Sequence, residues 1–525
     1  MAKLIIYCLL WFAVCIIYKS ANAQTLQTTG TTFVFSIPED ASHIIRDARA
    51  PATIELHILS PHTGTGILSA DGTTLNFNFK TNTLCKITLP RTLVHSRASG
   101  NTRLGITLQT SAPVNVVLHD ILEYAGEATQ VWPVETLGNE YLVASWGLFN
   151  DRGEDNHAEV TITPVHDKTE VTIIPSVRTL GGVPKDSAFT VTLNRGDSYI
   201  VKADTSSASE AGLSGTRIRA SAPVSVMTAV TCAYVPSGNQ ACNMLLDHML
   251  PLEFAGTEFF ASPLGDTLRE AYLLITSSKQ TFSVTVSDGR TIAGSNGRAV
   301  IPIEQPVRCQ TNAPAFCHLL TPGVTRVLIS DPSMVAILPS HLYFDTVSWY
   351  TPKFLNGGMP FYQTVNVISK NFSSARINGK PLTSAGSSAQ ISGTDHFVTQ
   401  IVVTPGNYLL TSGEPFFAIV SGFFSADAYS FIPMGQHAPP VSSAEDLQVV
   451  VNLNPATKTI GLDVVGTESV VNVTIFNALG NVVHEVSGPI SNLREIPVAH
   501  LPPGSYVVEV TSGTHRGKSR FVITE

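Results

Sequence analysis

The sequence predicts an all-β protein. Tandem antiparallel β-sandwich-like repeat modules, with a propeller-like arrangement as the alternative, are followed by a small C-terminal Ig-like β-sandwich. Three observations carry this. Apolar and polar residues alternate in short runs such as HAEVTITPV, TEVTIIPS and FTVTLNRGDSYIVKA, the period of a half-buried strand. Charged residues are only 14% of the chain, while 38 glycines and 32 prolines supply turns. A Gly-to-Pro segment recurs four times, which describes architecture better than any single motif.

The chain opens MAKLIIYCLLWFAVCIIYKSANAQ. One lysine precedes an apolar run from Leu4 to Tyr18, and Ala21 and Ala23 place small residues at the cleavage-determining positions. A secretory signal peptide is expected over residues 1–23, cut between Ala23 and Gln24. The run is shorter than the roughly 20 residues of a spanning helix, and Val14 before Cys15 argues against a lipoprotein. The exported product is expected to be soluble or attached by other means.

Residues 24–137 are expected to form a divergent β module and 138–435 the main repeat region. The recurring segments are GITLQTSAPVNVVLHD, GTRIRASAPVSVMTAV, GVTRVLISDPSMVAILP and GNYLLTSGEPFFAIVSG, with prolines at Pro113, Pro223, Pro332 and Pro415. Each reads as a hairpin-like corner, because Pro fixes its own φ and biases its predecessor to extended geometry. Ile106 and Leu108 flank the first turn on one side, and Val114, Val116 and Leu118 on the other. Units open with a Gly-aromatic strand at Gly30, Gly138 and Gly256, with a weaker fourth near Phe361. Connections are too short for crossover helices, so pairing is expected to be antiparallel. Only NMLLDHML reads as helical.

Seven cysteines fall to five once Cys8 and Cys15 leave with the signal peptide. In an oxidising compartment the close pairs Cys232/Cys242 and Cys309/Cys317 read as local disulfides. Cys85 is expected to be a buried thiol on a strand. Zinc would want a tighter Cys pair or two matched histidines, and thioredoxin-type redox chemistry needs C-x-x-C.

CAYVPSGNQACNMLLDHMLP, preceded by GTRIRASAPVSVMTA, resembles the amino-terminal domain family named for IgGFc-binding protein. GFFSADAYSFIPMG, from Gly422 to Gly435, looks like the segment that closes that family's domain. The resemblance covers about Gly138 to Gly435. Its name implies immunoglobulin binding, but it carries no contact residues over to this chain.

After a Pro/Ser linker at 436–447 the chain changes character. Val471, Val473 and Ile475 alternate with Asn472 and Thr474, and Pro502, Pro503 and Gly504 turn the chain before Tyr506, Val508 and Val510. About seven short strands in a sandwich fit residues 448–525. This stretch is similar to the type A carboxy-terminal sorting domain of the type IX secretion system. The similarity rests on Asn454-Pro455, Gly480 after Ile475-Phe476-Asn477, and Gly504 with Tyr506. That family usually finishes on a basic or glutamine residue, whereas this chain reads Ile523-Thr524-Glu525. The resemblance implies handling by the type IX machinery, delivery to the outer cell surface or medium, removal of the tail near the linker, and anchoring to lipopolysaccharide or release.

Net charge is −8 with no basic cluster along the chain, so nucleic acid is not an expected partner. No G-x-S-x-G elbow, H-E-x-x-H helix or phosphate loop is present. Fifteen histidines are scattered, and His119 and His157 read as surface or satisfied residues rather than bases. The loop NDRGEDN, 150–156, offers oxygen ligands but not EF-hand spacing. No catalytic residue, metal or cofactor is assigned. The expected function is an adhesin-like binding protein whose ligand is an extracellular protein or glycan. The alternatives are a hydrolase of extracellular polymer and a purely structural surface repeat protein.

Overall fold

Four long strands organise the structure: Ile106–Leu122, Arg217–Tyr234, Val307–Thr321 and Gly406–Phe424. The structure is a computed structural model that describes residues 26–40, 52–95, 100–122, 125–147, 156–204, 212–239, 241–265, 270–323, 331–353, 355–356, 359–360, 362–384, 388–424, 427–436, 448–454, 457–465, 470–477, 482–489, 492–493, 495–512 and 515–523. Two compact units divide at 437/438. The first holds four modules and the second the tail.

Each long strand carries a proline at a corner, namely Pro113, Pro223, Pro314 and Pro415. The corner is the same in all four modules. The first residue of the module's opening strand pairs just after the proline, in the pairs Gly30↔Val114, Gly138↔Val224, Gly256↔Ala315 and Phe344↔Phe416. Two residues further on, the partner has jumped back to Gln109, Arg219, Gln310 and Thr411. The intervening residues bulge out of the ladder, which is where a proline without an N–H belongs. A serine hydroxyl of a neighbouring strand end donates to the proline carbonyl at three corners: Ser60 to Pro113, Ser277 to Pro314 and Ser369 to Pro415.

Four sequence expectations change here. The segment expected to be a hairpin turn is one continuous bent strand. The third repeating proline is Pro314, inside the strand Val307–Thr321, whereas Pro332 leads into the next strand, Ser333–Ile337. The fourth module opens at Phe344 rather than near Phe361. NMLLDHML is not helical. Its first six residues, Asn243 to His248, belong to the strand Cys242–His248 and are buried on both faces, so apolar and polar residues do not alternate along it.

Each module ends in a short inner strand: Glu127–Val131, Cys242–His248, Ser333–Ile337 and Asp427–Phe431. Every one packs against two of the others in cyclic order, so the four modules close into a ring around these strands. After the first three inner strands, a proline (Pro133, Pro251 or Pro339) caps a single 3₁₀ turn leading to the next module. These prolines seat against the opening glycines. A Cβ on Gly30, Gly138 or Gly256 would lie 2.2–2.6 Å from the Cβ of Pro133, Pro251 or Pro339. In the fourth module the bulk is exchanged, because Phe344 faces Gly435. The ring is clasped where Thr28 Oγ1 donates to the Gly435 carbonyl at 2.7 Å and accepts from the Gly435 amide at 2.8 Å.

The second unit pairs a three-stranded sheet (Gln448–Asn454, Thr459–Val465, Glu495–Pro497) with a four-stranded one (Val482–Pro489, Val470–Asn477, Gly504–Ser512, His515–Ile523). Ile460, Val473, Ile475, Val508 and Val510 form its core. All named strand ladders are antiparallel, and no helix among the described residues is long and apolar enough to cross a membrane.

Candidate functional site

Cys232 and Cys242 are joined across the end of a hairpin, with Cα atoms 5.2 Å apart. The strands Arg217–Tyr234 and Cys242–His248 already pair there, through Ala233↔Asn243 and Tyr234↔Cys242. The bond therefore fixes where the inner strand begins. Closing a loop of this length contributes about 3 kcal/mol on the chain-entropy model. The double substitution Cys232→Ser/Cys242→Ser is expected to cost about that much in denaturant unfolding. An unchanged midpoint would contradict it.

Cys309 and Cys317 are not joined. Both lie on the single bent strand Val307–Thr321, so the run CQTNAPAFC is sheet rather than a loop that returns on itself. Both thiols are buried in the core, which pushes Cys309 up to about 12 and Cys317 well above the ordinary range. Cys85 is half-buried at the start of the strand Cys85–Leu89, its thiol 3.5 Å from the Asn78 carbonyl.

The inner strands meet through polar side chains sealed from solvent. Asn243, fully buried, directs its Nδ2 at carbonyls of the other three modules: Gly126 and Pro332 at 2.8 Å and Ala428 at 3.5 Å. Glu127 accepts from the amides of Met334 and Ser430, each at 3.0 Å. Burial pushes the Glu127 carboxyl well above its ordinary range, against the pull of its backbone N–H donors. Asp247 accepts from Thr129 Oγ1 at 3.0 Å and stands 3.1 Å from His318 Nε2. Buried groups of this kind cost about 1–3 kcal/mol each when a partner is removed. The network therefore sets which modules meet and in what register.

His248 shows how tightly the hub is specified. Its Nδ1 accepts from the Trp132 amide at 2.9 Å, which leaves the ring proton on Nε2, 2.9 Å from Ser225 Oγ. A second proton on Nδ1 would face a donor, and burial pushes His248 down to about 3. The unfolded chain takes up that proton near 6.5 and the folded chain refuses it. The stabilisation from His248 is thus complete above about pH 6.5 and is lost as pH falls toward 3, by at most about 1.4 kcal/mol per pH unit. Nitrogen-15 NMR of the labelled imidazole is expected to show one neutral tautomer from pH 7 to pH 4.5. A titration midpoint near 6.5 would contradict the geometry.

Two Ser–His contacts are buried in the same way: His95 Nε2 to Ser198 Oγ and His248 Nε2 to Ser225 Oγ, each at 2.9 Å. His119 packs against His57, with ring centroids 4.1 Å apart, and His157 Nδ1 lies 2.9 Å from the Ala203 carbonyl. All of these histidines are buried core groups.

The open site lies elsewhere. A solvent-open cleft of about 960 Å³ runs between the second and third modules. One wall is the segment 174–186 with 214–217, and the other is the hairpin Thr291–Ser295 and Arg298–Ile303. Asn296 and Gly297 turn that hairpin with φ of 52° and 72°, the pair of positive values a two-residue type I′ turn requires. Among the described residues, Arg178, Lys185, Arg217 and Arg298 line the cleft with one acid, Asp186. Arg298 stacks over Trp146, 5.5 Å from the ring centroid, and Arg217 donates to the Ser278 carbonyl across the module boundary at 3.1 Å. Sequence reading missed this site because its residues come from two modules. The Ser-Asn-Gly-Arg turn at 295–298 was the one local signal.

In the tail, Tyr506 Oη donates to the Pro502 carbonyl at 2.5 Å and its ring stacks on Phe521 at 5.3 Å, a tyrosine locking a sandwich corner. Asn454 ends the strand Gln448–Asn454, and Gly504 begins Gly504–Ser512. Ala23, Gln24, Pro455, Gly480, most of the 150–156 loop and most of the linker lie outside the described residues.

A family model described as IgGFc binding protein matches residues 127–422, and a secretion system C-terminal sorting domain matches 454–524. No curated protein matches the chain. Among solved structures, dimeric latent PorU from Porphyromonas gingivalis is 13% identical with a TM-score of 0.12, covering 57% of this chain and 31% of that one. A Ca²⁺-stabilised adhesin of an Antarctic bacterium is 11% identical with a TM-score of 0.11, covering 78% and 100%. At those scores neither carries an argument. The sorting domain places the protein at the cell surface or in the medium, handled by the type IX secretion system.

Proposed function

Because the chain belongs to the IgGFc binding protein family, we propose that it is a surface-displayed or secreted binding protein, adhesin-like, that engages an extracellular protein or glycan without turning it over. The observation that carries this reading is the cleft between the second and third modules, built on strands of a clasped ring. Rigid strands hold recognition side chains in place at low ordering cost. The sealing of both Ser–His contacts supports binding over catalysis, since a substrate needs access to the nucleophile. A signal peptide at 1–23 and loss of the tail near the linker, with anchoring to lipopolysaccharide or release, complete the proposed route.

Arrays of glycans and extracellular proteins, immunoglobulin Fc among them, test this with the purified exported protein. Saturable binding to one class with the ligand recovered intact is expected. Ligand recovered cleaved, or no binding to any array member, would overturn it.

A further inference from the structure

We infer that the cleft between the second and third modules binds an acidic polysaccharide, its carboxylate or sulfate groups held by Arg217, Arg298, Arg178 and Lys185. This rests on the binding reading above and narrows its ligand. Four cations line the cleft in a chain whose net charge is −8, and among the described lining residues Asp186 is the one acid that opposes them. Asp204 offsets part of Arg178, holding its Nε at 3.0 Å. The excess is still positive. Guanidinium forks match carboxylate and sulfate edges with paired N–H donors.

Both central arginines are held by the fold. Arg298 lies on the Trp146 face, itself fixed by a 2.8 Å hydrogen bond from its indole N–H to the Tyr234 carbonyl. Arg217 commits one donor to Ser278 across the boundary. Placed cations bind an anion without first losing side-chain freedom.

The rest of the lining selects among anions. Ser176, Ser295, Asn296 and Gln280 offer hydroxyl and amide groups suited to sugar hydroxyls. Among the described residues that line the cleft none is aromatic, so nucleic acid bases find no stacking platform. Shape agrees, since an open trough admits the middle of a chain.

The test uses the full exported protein with polygalacturonate for carboxylate, heparin for sulfate, dextran as the neutral control, and poly-L-glutamate and single-stranded DNA as competing polyanions. Binding to polygalacturonate or heparin and not to dextran is expected, weakening sharply at about 1 M salt, where the Debye length is about 3 Å. The variant Arg217→Gln/Lys185→Gln is expected to weaken it at least about tenfold. Lys185→Gln alone, at an exposed position, keeps the test sound if the double variant folds poorly, and is expected to weaken binding severalfold. Equal binding to dextran, preference for poly-L-glutamate or DNA, or full binding by Lys185→Gln would overturn the inference. An array ligand bound equally by these variants sinks this assignment alone, whereas silence on every array sinks the binding reading too.

Discussion

Asn243→Leu is expected to destabilise the four-module ring by about 2–5 kcal/mol. The side chain is fully buried, and its amide holds the Gly126 and Pro332 carbonyls at 2.8 Å each, with Ala428 at 3.5 Å. Leucine nearly matches the shape but supplies no donor, so two strong interactions between modules are lost where water does not reach. The cost should appear as a lower denaturant midpoint with an unchanged slope, because the exposed surface of unfolding is the same. A wild-type midpoint would show that the inner strands hold together by apolar packing alone. Neither neighbour of Asn243 can compensate, since Cys242 is in the disulfide and Met244 points into the apolar core.

Removing residues 448–525 is expected to abolish delivery outside the cell, with the extracellular fraction falling at least about tenfold while the ring still folds. The tail is a compact unit with its own core, matched over 454–524 by a sorting domain, so its loss removes an address and leaves the scaffold intact. Protein retained behind the outer membrane, resistant to added protease in intact cells, is the expected result. Unchanged accessibility to protease would contradict it. Tyr506→Phe is the finer test. It removes the hydroxyl that reaches the Pro502 carbonyl, and should lower tail stability by about 1 kcal/mol while leaving the ring unaffected.

Local alternation made the strands legible, and in Thr169–Ile174 it follows one face in the core and one toward water, although Ala158–Pro164 is buried on both faces. The same rule failed for Cys242–His248, where both faces are buried and the period disappears. The proline repeat was visible but its third copy was misplaced. GVTRVLISDPSMVAILP imitates the corner, while the true one, Thr311 to Pro314, sits in a segment that the flanking cysteines disguised as a disulfide loop. There Thr311 Oγ1 donates to the Ala313 carbonyl at 2.8 Å, as Thr110 Oγ1 does to Ala112 at 2.9 Å. Cys309 and Cys317 behave as small apolar side chains in a core.

The hub and the cleft were illegible for a different reason. Asn243, Glu127 and Asp247 gain their partners from other modules, far along the chain, and no local pattern announces a buried amide that bridges modules. Arg217 was in plain view in GTRIRAS, but its companion Arg298 arrives only when the third module folds against the second.

Hydrogen exchange of the exported protein in native conditions tests the ring most directly. If the four inner strands close on one another through the polar hub, the amides of Glu127–Val131, Cys242–His248, Ser333–Ile337 and Asp427–Phe431 exchange last and at one common rate set by global opening. Exchange of these strands at separate rates, module by module, would contradict a closed ring and reduce the protein to four beads on a string.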